Sequence, residues 1–192
     1  MAKDPVEILN RRNAEVAKIR GFADLTEEAK ARRIAEVNER AQAEYREAIE
    51  TQVRERAERL QKSKRSVFQI PIPLGATDGE AAQIRASYRS ARSDIEYAIA
   101  PSLGTDPQHT QKELERFLEQ AELTGDPELA RAAYHVAIKH GVQSVVDTYL
   151  SSRPQEIRAW ERYTTAHEEA NAARSPEGLL ERSLTEQAFR SA

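Results

Sequence analysis

Four histidines, His109, His135, His140 and His167, are the side chains in this sequence whose ordinary pKa suits general-base or metal-ligand work near neutral pH. Either use needs a second group on the same face. His135 and His140 are five residues apart on one predicted helix, so they point in different directions, and neither an HExxH pattern nor a Glu three residues ahead of a His accompanies any of the four. His140, beside Lys139 at a helix end, is expected to offset the helix dipole, and His167 to continue an apolar stripe. The acids alternate with bases along helices. A carboxylate pair needs an apolar pocket before its pKa moves far enough for catalysis, and no such pocket is signalled. There is no Gly-rich phosphate loop, no GxSxG elbow and no GxGxxG. The sequence therefore predicts no catalytic residue, no cofactor and no metal site, and a protein that is not an enzyme.

Two other groups of residues could do chemistry of contact. Arg59, Lys62, Lys64 and Arg65 form the strongest basic cluster. They could touch nucleic acid, but they lack interleaved aromatics in a chain of net charge -3, and compensation of a helix C-terminus accounts for them better. Nucleic acid is not an expected partner. The second group lies in Ser66-Val67-Phe68-Gln69-Ile70-Pro71-Ile72-Pro73-Leu74-Gly75, where two prolines forbid helix and favour extended backbone. In an extended chain Phe68, Ile70, Ile72 and Leu74 share one face, and the N–H groups of Ile70, Ile72 and Leu74 share one edge. The other edge has lost its donors at Pro71 and Pro73, so this strap can pair on one side only. It is expected to dock in a groove of this protein or of a partner, or else to be a packed linker.

The elements around these groups read as helices throughout. Asp4-Pro5 opens a first helix ending at Gly21, with Glu7 placed for a capping box, and Thr26-Glu27-Glu28 opens a second that runs free of Gly and Pro to about Arg65. Its apolar positions Ile34, Val37, Ala41, Tyr45, Ile49, Val53, Ala57 and Leu60 make a narrow stripe, too thin for a globular core. That stripe predicts a contact arm against the first helix, a second copy or another protein. Acid-first pairs such as Glu36/Arg40 and Glu55/Arg59 decorate its other faces.

After Asp78-Gly79 the helical period resumes with Ile84, Tyr88, Ala91, Ile95 and Ala98. Asp106-Pro107 and Asp126-Pro127 open two more helices that end at Gly125 and Gly141, carrying Leu114, Phe117, Leu118 and Ala121, then Leu129, Ala133, Val136 and Ala137. A short helix with Val145, Val146, Tyr149 and Leu150 follows, then one from Pro154 with Ile157, Trp160, Thr164 and His167, and a last one from Ser175-Pro176 with Leu179, Leu180, Leu184 and Phe189. The prediction is an all-α protein with a helical arm over 1–65, an extended strap over 66–78 and a helical bundle over 79–192.

Composition fits this division. The chain has 192 residues, 32% of them charged, with no Cys, which rules out a disulfide framework or a thiolate metal site. Residues 1–65 hold 16 Lys/Arg against 13 Asp/Glu, and the remainder 13 against 19, a mild asymmetry that could aid packing of arm on body between copies. Met1 to Pro5 carries no apolar run of the secretory kind, and no stretch approaches the roughly 20 apolar residues of a membrane span, so a cytoplasmic protein without membrane association is expected.

The runs Ala23-Asp24-Leu25-Thr26-Glu27-Glu28-Ala29-Lys30-Ala31-Arg32-Arg33-Ile34-Ala35, Glu122-Leu123-Thr124-Gly125-Asp126-Pro127-Glu128-Leu129-Ala130-Arg131-Ala132 and Asp147-Thr148-Tyr149-Leu150 resemble helical virion and head-assembly proteins of tailed phages of actinobacteria. The resemblance implies a structural or assembly component of a phage particle, found in the host cytoplasm and the virion, with protein subunits as partners and no catalytic residues. Scaffolding proteins often end in a basic segment, whereas Glu181 to Ala192 has two acids and two bases, which leans toward a permanent or accessory subunit. The alternative is a cytoplasmic helical adaptor, repeat-like in its body, that binds a protein or peptide.

Overall fold

A computed structural model describes residues 4–173 together with Ser175, Ser183 and Gln187. Among the described residues there are seven α-helices and no strand: α1 Pro5–Arg20, α2 Glu27–Phe68, α3 Asp78–Ile99, α4 Pro107–Thr124, α5 Pro127–His140, α6 Gln143–Ser151 and α7 Pro154–Ala172. The protein is all-α. Its starts and stops follow the capping residues. Asp4, Asp106 and Asp126 accept from the N–H groups of Val6, His109 and Leu129, each at 2.9 Å, ahead of a proline at the first helical position. Gly125 and Gly141 close α4 and α5 in the left-handed conformation, φ 66° and 71°, where a Cβ would be strained.

The chain divides into two compact units, Met1–Lys64 with Arg162–Ala192, and Arg65–Glu161. In the second unit α3, α4 and α6 all pack on α5. Ala130 and every residue from Ala132 to Ala137 is buried, so α5 is apolar nearly all round. The small side chains Ala130, Ala132, Ala133 and Ala137 let its neighbours approach, and Ile95, Ile99, Leu114, Leu118, Val145, Val146 and Tyr149 fill the space around it. Tyr134 stacks on Tyr149 with ring centroids 4.2 Å apart. Ser102 and Thr110, buried where α3 turns toward α4, satisfy each other at 2.9 Å.

In the first unit α1 lies antiparallel on α2. Ile8 packs with Ala41, Tyr45 and Ala48 at one end, and Val16 and Ile19 with Ile34 at the other. Arg12 is buried between these clusters, where Asn38 accepts from its Nε at 2.7 Å and Asn13 from its Nη1 at 2.8 Å. Arg40 and Arg59 do not serve the i,i+4 pattern alone: Arg40 binds Glu15 of α1, and Arg59 binds Glu169 of α7 at 3.2 Å.

The structure departs from expectation in three places. Helix α2 continues through Ser66, Val67 and Phe68, because Pro71 removes a donor only at its own position and Gln69 N–H still closes on the Arg65 carbonyl at 2.9 Å. The body expected over 79–192 corresponds to a unit of 65–161, and α7 from Arg162 onward groups with the arm. His167 is exposed and Ala166 takes the buried place, since Tyr163, Ala166 and Ala170 form the less exposed side of that turn. Of the helix expected from Ser175-Pro176, Pro176 and the apolar Leu179, Leu180, Leu184 and Phe189 lie outside the described residues.

Candidate interaction surfaces

The strap is anchored through a histidine. Because Pro71 has no N–H, it cannot bond the carbonyl four residues back, and the Val67 carbonyl at the end of α2 is left open. His135 fills it. Its Nε2 donates to Val67 O at 3.0 Å, which fixes Nδ1 as an acceptor, and the Tyr88 hydroxyl donates to Nδ1 at 2.7 Å. The ring sits 4.9 Å from Phe68 and 5.4 Å from Tyr134, and the residue is 2% exposed. Burial pushes its pKa from 6.5 to about 4; the bond to Val67 opposes that, and Arg131 and Arg92 add to it. His135 is therefore neutral at physiological pH and joins α2, α3 and α5. The sequence flagged it only as structural; the signal that could have found its partner was the orphan carbonyl four residues before Pro71.

Beyond this anchor the strap is extended. Gln69, Pro71 and Pro73 are exposed, Ile70 and Ile72 half-buried, so the two-residue alternation expected of an extended chain holds over 69–73. Leu74 departs from the expected shared face. It is fully exposed, because Ala76 N–H bonds Pro73 O at 3.1 Å in a tight turn with Gly75 at φ 90°, which lifts Leu74 off the surface. Beside this turn is an open groove of about 500 Å³, lined by Pro73, Gly75, Glu80, Ile84, Ser87 and Glu128.

On the arm, the stripe splits. Ile34 and Tyr45 are buried under α1, and Val37 and Ile49 are half-buried against the same clusters. Past the end of α1 the stripe opens, with Val53 44% exposed and Leu60 half-buried.

The basic cluster does not converge. At about 100° per residue, Arg59, Lys62 and Arg65 span a third of the helix circumference and Lys64 points elsewhere. All four are exposed, and Arg59 is engaged by Glu169.

The remaining titratable groups are tied to structure. Glu96 is held below the usual carboxylate range by its bond from Lys139 Nζ at 3.0 Å and by Arg92. Tyr149 is pushed up to about 12 by burial, with its hydroxyl on Glu156. His140 titrates below the usual imidazole range because of burial and the charge of Lys139. Among the described residues no cluster of His, Asp and Glu is arranged to hold a metal, and no helix is long and apolar enough to cross a membrane.

No protein-family model, no curated protein and no solved structure matches this chain.

Proposed function

We propose that this is a non-enzymatic assembly protein whose helical arm and strap pack on neighbouring subunits, and that it serves as a virion or head-assembly component of a tailed phage. The observation that carries the reading is apolar surface on the described residues that stands open to solvent. Val53 stands 44% exposed in the middle of a 42-residue helix, on the same stripe whose first half is buried, and Leu74 projects fully into solvent. The phage setting rests on the resemblance of the runs around Thr26, Gly125 and Thr148. Protein subunits are the partners this reading names.

Val53→Asp tests the arm. It should leave helix content and thermal midpoint nearly unchanged, as exposed substitutions do, while reducing the assembled fraction of the full chain in light scattering. An unchanged assembled fraction would remove the arm from the contact. The groove beside Gly75 favours a second reading, a helical adaptor that takes a peptide there. That reading predicts a chain that stays single at every concentration and changes size only when a partner is added.

A further inference from the structure

We propose that His135 is an acid-sensitive latch: protonation of its ring releases the end of α2 and the strap that follows, while α3 to α6 stay packed. The latch stands apart from the assembly reading and holds for a single chain. Three features of the packing point to it.

The first is that both bonds of the latch need a neutral ring. His135 gives the hydrogen on Nε2 to the Val67 carbonyl at 3.0 Å and accepts one at Nδ1 from the Tyr88 hydroxyl at 2.7 Å. An imidazolium carries hydrogen on both nitrogens, so Nδ1 would then meet the hydroxyl as donor against donor. Tyr88 can turn its oxygen toward the ring. That oxygen also interacts with Arg92, so it would lie between two cationic donors.

The second is the charge around the ring. Arg131, one turn earlier on α5, and Arg92 on α3 both oppose a positive charge at His135. Val67 and Phe68 of α2 bring it a carbonyl and an aromatic ring, not a carboxylate. Glu96, the acid that acts on Tyr88, is itself held by Arg92 and Lys139. A buried cation without a carboxylate partner is costly, and burial places the pKa of the ring at about 4.

The third is which side of the bond can yield. Helix α5 is enclosed by α3, α4 and α6. Across the bond stands the last turn of α2, and among the described residues no backbone hydrogen bond joins residues 70–75 to another helix. Pro71 keeps α2 from extending to serve the Val67 carbonyl itself. Helix ends with few backbone bonds open more readily than a packed core. On release, water takes over the Val67 carbonyl, the ring accepts its proton, and the buried Val67 side chain is exposed.

A ring that titrates at about 4 when latched and at its ordinary 6.5 when released binds its proton more tightly in the released state. The latch is therefore fully closed in preference above pH 6.5 and weakens as pH falls toward 4. Between those limits the opening equilibrium should rise roughly a hundredfold.

Amide hydrogen exchange of the full chain at pH 7 and pH 4, with each rate divided by the chemical exchange rate at that pH, tests the latch. The amides of Val67, Phe68 and Gln69 should lose roughly a hundredfold of their protection, while those of Val136 and Ala137 in α5 should change by less than about tenfold. Unchanged protection at 67–69 would overturn the latch. So would a loss of equal size in α5, which would mean that the whole body opens. His135→Gln keeps a donor for Val67 and an acceptor for Tyr88 but cannot titrate, so its amides at 67–69 should be equally protected at both pH values. An acid-dependent loss there in His135→Gln would place the titrating group elsewhere and overturn the assignment to His135.

Discussion

The bond from His135 to the Val67 carbonyl is a consequence of a proline four residues downstream. Pro71 cannot serve that carbonyl, an unpaired buried carbonyl is costly, and a neutral imidazole on α5 meets the need while accepting a hydrogen bond from the Tyr88 hydroxyl on its other side. His135→Phe keeps an aromatic ring and deletes both bonds. It should cost roughly 2 to 4 kcal/mol in urea unfolding, since the buried Val67 carbonyl is then left without its donor and the Tyr88 hydroxyl keeps only its interaction with Arg92. The same residue sets a pH dependence. Its folded pKa of about 4 lies below the ordinary 6.5, so the unfolded chain binds the proton more tightly. The stability it contributes is complete above pH 6.5 and is lost as pH falls from 6.5 toward 4, up to about 3 kcal/mol at the lower end. Comparing wild type with His135→Phe across that window isolates the effect from the carboxylates, which titrate in both. The variant should show the shallower loss.

At the scale of elements, caps and packing decide where helices stand. Thr77 and Glu80 form a reciprocal capping box at the start of α3, with Thr77 N–H donating to Glu80 at 2.7 Å and Glu80 N–H to the Thr77 hydroxyl at 3.3 Å. Thr77→Ala should cost about 1 kcal/mol, measured by denaturant midpoint. Leu114, without solvent exposure in the core between α4 and α5, should cost about 2 to 5 kcal/mol as Leu114→Ala. The helices of the body were legible in the sequence because Asp-Pro starts and Gly stops are local signals that the fold has no reason to override. The stripe of the arm was legible as a contact surface, and α1 was named among its candidate partners. Three things were not legible. That α1 ends its cover near Ala48 depends on helix length and tilt, not on the periodicity of α2. The polar seam of Arg12 and Asn38 depends on two residues 26 positions apart meeting. The anchor of the strap depends on a carbonyl whose lack of a donor is visible in the sequence but whose replacement comes from a helix 68 positions away.

At the scale of the whole molecule, the surface that matters is the apolar surface exposed on the described residues. On the arm it is the part of the stripe beyond α1, where Val53 is 44% exposed, and the proposed assembly rests on it. The central claim is that the chain assembles through the exposed part of its arm, and sedimentation equilibrium of the wild-type protein beside Val53→Asp is its most direct test. A mass above that of one chain for the wild type and a lower mass for Val53→Asp at matched concentration is the predicted result. One common mass for both proteins would contradict it.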